Sequence, residues 1–191
     1  MQSHMEDWLP RHRITVDEYY RMAEVGLLAA DARVELIEGE ILDMPPIGSR
    51  HAGVVSLLDR LLSRAAGDEA IVRVQLPLRL TNASEPQPDL ALVKPRSDYY
   101  STRHPTAADT LLVVEVSQTT VRYDRQIKLP LYARHAVPEL WIVDLKSGQV
   151  HLFRSPRGEE YADVSNIAEP GILALAQLPA VMVDLSPILG L

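Results

Sequence analysis

A strand that is aliphatic along its whole length has to be covered on both faces, and Leu111-Leu112-Val113-Val114-Glu115-Val116-Ser117 is such a strand with a carboxylate set into it. The run predicts a central strand of a sheet with cover above and below. An unpaired ion at Glu115 would cost several kcal/mol or would take up a proton, so this position needs a metal, a cation or the mouth of a cleft. A second exception lies upstream, where Pro88-Asp89-Leu90-Ala91-Leu92-Val93 opens another apolar strand with an acid. Two such strands can set Asp89 and Glu115 side by side at one edge of a sheet. Paired carboxylates of this kind are the donors that Mg²⁺ and Mn²⁺ take.

The rest of the chain supplies layers for that sheet. Thr15, with Glu18 three residues on, predicts a capped helix that Gly26 stops. Arg33 to Met44 reads as a hairpin about Glu38-Gly39, with Val34, Leu36 and Leu42 available to one buried face. Ser49 is placed to cap a helix from about His51 to Ala66, ended by Gly67, with Val54, Val55, Leu58, Leu61, Leu62 and Ala65 inward. Ile71 to Leu80 alternates as a strand, with Pro77 marking an edge or a bulge. Lys94 to Ala108 reads as a loop with one helical turn at most. A helix from about Tyr123 to His135 turns Ile127, Leu131 and Tyr132 inward and should bend at Pro130. Glu139 to Asp144 and Gln149 to Arg154 form a second hairpin about Lys146-Ser147-Gly148, and the tail from Gly171 packs back in short pieces. The sum is an α/β fold, a mixed central sheet flanked by helices, with an N-terminal helix and hairpin.

At 191 residues the chain suits one domain, taken here as residues 6–191, with Ser3-His4-Met5 closing a leftover of cloning at 1–5. With no cysteines, thiolate zinc sites and disulfide frameworks are excluded. No stretch approaches a membrane span and no signal-peptide layout opens the chain, so the cytoplasm is the expected location. A net charge of −7 argues against a protein that coats nucleic acid non-specifically, but not against a nuclease whose metal-binding acids add to the negative count. Arg50, Arg60, Arg64 and Arg73 could line a phosphate groove, although scattered arginines more often serve solubility.

Taken in order, the marked pieces are Glu35-Leu36-Ile37-Glu38-Gly39-Glu40, His51 opening a helix, Pro88-Asp89, Val114-Glu115-Val116-Ser117, Asp124 to Ala133 and Val137 to Asp144. This ordered set resembles the large bacterial family of putative restriction endonucleases, formerly a domain of unknown function, within the PD-(D/E)XK nuclease superfamily. The similarity runs from about Ile14 to Leu189. It implies a restriction-endonuclease-like core in which Asp89 and Glu115 hold Mg²⁺ or Mn²⁺. Ser117 stands where the superfamily usually carries a lysine, and members of the family take the lysine from the next helix, which implies Lys128.

The resemblance also implies roles. Phosphodiester hydrolysis needs an activated water, charge neutralisation on the phosphate and help for the leaving oxygen. Lys128 would orient or deprotonate the water or stabilise the developing charge. Glu35, with Glu38 and Glu40 as alternatives, could complete the metal shell, while His51, Ser117, Asp124 and Glu40 are candidates for phosphate or supporting contacts. Asp124 also suits a structural cap or ion pair, and Tyr132 and Trp141 suit the core better than base stacking. The expected function is a metal-dependent DNA endonuclease acting as a homodimer, since two-fold symmetry suits the cutting of both strands. The competing expectation is a non-catalytic nuclease-fold protein that binds nucleic acid or protein.

Overall fold

The computed structural model describes residues 11–29, 31–118 and 120–190, so the leftover assigned to residues 1–5 lies outside the described residues. The chain divides into two compact units, one made of residues 1–45 and 80–86, the other of residues 46–79 and 87–191.

In the first unit, helix α1 (Val16–Glu24) starts where the sequence places it. The Thr15 hydroxyl accepts from the Glu18 amide at 3.2 Å, and the Glu18 carboxylate accepts from the Thr15 amide at 2.8 Å. Strands β1 (Val34–Ile37) and β2 (Glu40–Asp43) pair antiparallel through a turn with Glu38 at φ 50° and Gly39 at φ 77°. Two consecutive left-handed residues give the turn type that matches strand twist, and a Cβ on Gly39 would lie only 2.6 Å from the Arg13 Cβ. The register sets Leu36 opposite Ile41 and Glu35 opposite Leu42. Leu42 therefore belongs to the Glu35 face and not, as the alternation suggested, to that of Val34 and Leu36. The returning segment is tied in by Glu85, whose amide donates to the Leu36 carbonyl at 2.7 Å, and by the Asn82 carbonyl, which accepts from the Val16 amide.

The second unit is built on a six-stranded mixed sheet of order β3-β4-β5-β6-β7-β8, made of β3 (Ile71–Val74), β4 (Leu90–Val93), β5 (Thr110–Ser117), β6 (Glu139–Asp144), β7 (Gln149–Arg157) and β8 (Glu160–Ile167). The aliphatic run is the interior strand β5, buried at every residue, antiparallel to β4 and parallel to β6. One face of the sheet carries Leu90, Leu92, Leu112, Val114, Trp141 and Val143 into the main core. Helix α2 (Ser49–Ala66) closes that core with Val54, Val55, Leu58 and Leu62, and the tail adds Leu175, Val183 and Leu185. The tail does run in short pieces, β9 (Ile172–Ala174), β10 (Met182–Asp184) and a final 3₁₀ turn.

Several expectations change. Helix α2 begins at Ser49 with Gly48 as its N-cap and no side-chain cap, so Ser49 is the first helical residue and not the cap. The strand expected over Ile71 to Leu80 stops at Val74, because Gln75 takes a left-handed φ of 50° and breaks the alternation. β3 is nevertheless the sheet edge, as Pro77 suggested. The helix expected from Tyr123 is three pieces: α3 (Val121–Tyr123), a π-helical turn (Asp124–Lys128) and α4 (Leu129–Arg134). The π turn, closed by the Leu129 amide on the Asp124 carbonyl, lies just before Pro130, which falls in the first turn of α4, where a missing N–H is tolerated. It also shifts the helical phase, so that Ile127 is 43% exposed while Leu131 and Tyr132 are buried. β8 had no sequence signal, since most of its residues are exposed and it is held by pairing with β7. Among the described residues no helix is long and apolar enough to cross a membrane.

Candidate active site

The site lies in the second unit, on the face of the sheet opposite the main core. Leu90 pairs with Val114, so carrying that register one residue further sets Asp89 beside Glu115. The Val116 amide donates to Asp89 Oδ2 at 2.9 Å, which fixes the adjacency. Two more groups hold Asp89: His51 Nε2 lies 3.0 Å from Oδ2 and Gln75 Nε2 donates to Oδ1 at 3.2 Å. Burial alone would raise the Asp89 pKa. The His51 hydrogen bond and charge, the Val116 amide and Gln75 more than offset it, and the carboxyl ends below the ordinary value.

Glu115 is 3% exposed and meets two donors through one oxygen. The Tyr132 hydroxyl donates to Oε1 at 2.7 Å, and Lys128 Nζ lies 3.2 Å from the same atom. Lys128, 4% exposed, is the last residue of the π turn, and Asp124, also 4% exposed, is its first. Winding these five residues as a π turn carries both charged side chains toward the sheet. The Ser117 and Thr120 hydroxyls both donate to Asp124 Oδ2, the second at 2.9 Å. Burial pushes the Asp124 pKa up, with the negative charge of Asp89 adding to it, against the opposing pull of Lys128 and the two hydroxyls.

Asp89, Glu115, Lys128, His51, Ser117 and Asp124 are thus brought into one polar patch of the second unit. Glu35 and Glu40 belong to the first unit. Glu35 is 3% exposed on β1, where its charge helps raise the Tyr19 phenol, behind the larger effects of burial and Glu85. Glu40 is half exposed and paired with Arg13 at 2.6 Å.

Two further members of the patch, Gln75 and Tyr132, are not among the residues that the motifs single out. Gln75 reads as an outward strand residue, but its backbone turns left-handed at φ 50° and its side chain donates to Asp89. Tyr132 reads as core, and its ring is buried, but its hydroxyl is what meets Glu115. The spacing Glu115, Lys128, Tyr132 would have flagged it, since Lys128 and Tyr132 stand four apart on one helical segment.

Two neighbouring carboxylates with no thiol are hard oxygen donors, and Mg²⁺ is commonly held by one or two carboxylates with water and substrate phosphate completing the shell. The donor set therefore fits a divalent ion shared with a substrate. Among the described residues no group of three or more His, Asp or Glu forms a site held by protein alone.

A family model described as "Putative restriction endonuclease" matches residues 16–186. Among solved structures, the chain is similar to a putative nuclease belonging to DUF820 from Anabaena variabilis, with a TM-score of 0.69 and 17% identity over 92% of this chain and 99% of that one. At that identity the likeness establishes the fold. No curated protein sequence matches the chain.

Proposed function

From the premise that the chain belongs to the family described as "Putative restriction endonuclease", we propose that it is a metal-dependent endonuclease that hydrolyses phosphodiester bonds in DNA at the Asp89–Glu115–Lys128 patch. The observation that carries this reading is the buried ammonium of Lys128 held 3.2 Å from Glu115, with Asp89 immediately before the adjoining strand and tied to the Val116 amide.

Asp89 and Glu115 would hold Mg²⁺ or Mn²⁺. Such an ion, when bound, lowers the pKa of a coordinated water and polarises the phosphate. The chain's own groups do the rest. Lys128 is fixed by Glu115 and pulled also by the charge of Asp124, so its ammonium is set in advance for the oxygen that gains charge as the water oxygen bonds to phosphorus and the bond to the leaving sugar oxygen breaks. Tyr132 keeps Glu115 in one rotamer. His51, Gln75 and the Val116 amide do the same for Asp89. Ser117, at the position the superfamily usually gives to lysine, instead holds Asp124.

Cleavage of supercoiled, linear, single-stranded and branched DNA with Mn²⁺ or Mg²⁺ tests this. Metal-dependent cutting by the wild type, lost by about 10³-fold or more in Glu115→Gln and Lys128→Met, is the expected result. Cutting that persists in both variants, or no cutting on any substrate together with no Mn²⁺-induced rise in Tm, would sink it.

A further inference from the structure

On the same sheet face, Arg73 continues the row that leads away from Asp89. Ile71 pairs with Val93 and Arg73 with Ala91, and the Gln75 amide donates to the Asp89 carbonyl at 3.0 Å. Arg73 therefore stands two residues, about 7 Å, along the edge strand from the glutamine that holds the Asp89 carboxylate. Its guanidinium is one of three gathered around the Tyr100 ring, at 5.9 Å, with Arg96 at 5.3 Å and Arg103 at 5.5 Å.

The three differ in what neutralises them. Arg96 is paired with Asp98 at 2.6 Å and Arg103 with Asp109 at 2.7 Å. Among the described residues Arg73 has no carboxylate partner; its Nη2 lies 3.5 Å from His104 Nδ1, and its buried Nε has no hydrogen-bond partner. Stacking on an aromatic face offsets part of the cost of such an arrangement. A planar cation with no counter-charge is suited to a phosphate, which would be met by its terminal Nη atoms and not by the buried Nε.

Beside it the chain displays an aromatic ring. Tyr100 is buried and its hydroxyl donates to the Lys94 carbonyl at 2.8 Å. Asp98 fastens the turn by accepting from the Tyr100 amide and the Thr102 hydroxyl. Tyr99, between them, is 72% exposed on a turn that is otherwise tied down. An exposed ring one residue from the tyrosine over which an uncompensated guanidinium lies combines the stacking platform and the backbone contact by which proteins hold a single strand. An intact duplex keeps its base faces covered and offers nothing for that ring.

We propose that Arg73 and Tyr99 form a docking surface for the strand being cut, Arg73 taking a backbone phosphate and Tyr99 stacking on an unpaired base. The surface thus selects single-stranded or locally unpaired DNA. Its location rests on the nuclease reading, but its test does not. Binding of a labelled single-stranded oligonucleotide, and of the same sequence as a duplex, is followed by fluorescence anisotropy with the full chain in EDTA at several salt concentrations. The wild type should hold the single strand at least about tenfold more tightly. Arg73→Gln should weaken it about tenfold and lower the salt slope by about one, while Tyr99→Ala should weaken it about five- to a hundredfold with the slope unchanged. Tyr99→Trp should restore binding, and matching Tm values for all variants exclude a folding defect.

Equal affinity for both substrates, no binding of the single strand, or indifference to both substitutions overturns the proposal. Loss with Arg73→Gln alone overturns its stacking half. Glu115-dependent cleavage with binding indifferent to Arg73 and Tyr99 would sink this surface and leave the nuclease standing. Arg73- and Tyr99-dependent binding without cleavage would do the reverse.

Discussion

Two glutamates are buried in neighbouring strands of one sheet, and they are not alike. Glu139 opens β6 fully buried, and every donor around it is a fixed structural group. Trp141 Nε1 and Arg154 Nε each donate to Oε1 at 2.8 Å, and the Ala176 amide donates to Oε2 at 2.7 Å. Glu115 is almost as buried, but it is held by a lysine and a tyrosine, with Asp89 beside it and Asp124 across from the same lysine. The first carboxylate ties the sheet to the chain's tail. The second sits among ionisable side chains, Asp89, Lys128 and Asp124, the groups that the proposed chemistry calls on. A carboxylate inside an aliphatic strand is therefore not a functional signal by itself; the chemistry of its neighbours separates a staple from a site.

The sharpest way to break this comparison is at the staple. Glu139→Ala leaves a partly buried guanidinium, an indole N–H and a backbone amide without their acceptor, and should cost about 3–5 kcal/mol of stability. Urea unfolding reads that loss. Cleavage per folded molecule should survive; a variant that keeps wild-type stability but loses cleavage would make Glu139 part of the site and erase the distinction.

At the site the effects should separate in the opposite way. Glu115→Gln strands the buried ammonium of Lys128, but Asp124 still lies near enough to attract it, so the expected cost is smaller, about 1–3 kcal/mol. The double variant Glu115→Gln/Lys128→Met removes both charges and should recover most of that stability, as replaced buried pairs often do, while cleavage stays lost. Recovery of cleavage together with stability would show that the pair serves only the fold.

Glu139 also measures how much was legible beforehand. β5 was legible because nothing but two-sided burial explains Leu111 to Val116, and α1 because Thr15 and Glu18 state their cap in the sequence. Glu115 and Asp89 stood out as exceptions to apolar runs. Lys128 did not; a lysine on a helix is ordinarily solvated, and only the resemblance singled it out. Glu139 was hidden for the opposite reason, since a glutamate at the start of a strand reads as a solvated end residue until Arg154 and the tail close over it. The π turn and the left-handed Gln75 are tertiary outcomes with no local pattern. Both act on the site, one by turning Lys128 inward and the other by bringing an amide to Asp89.

The smallest expected effect concerns sign. Asp89 has its pKa lowered on folding, so it adds stability that is present above the ordinary carboxylate range and lost as pH falls through the folded value. Asp124 is raised, chiefly by burial, and acts oppositely: its contribution is full below the ordinary carboxylate pKa and is lost as pH rises through the raised folded value. In a metal-free buffer the two partly cancel in the wild type. Asp124→Asn removes only the second, so the stability of this variant relative to wild type should increase as pH rises from below the ordinary carboxylate value toward neutrality. Urea midpoints at a series of pH values check this. A relative stability that falls with rising pH would mean that Lys128 and the two hydroxyls outweigh burial at Asp124, making it a second fixed staple like Glu139.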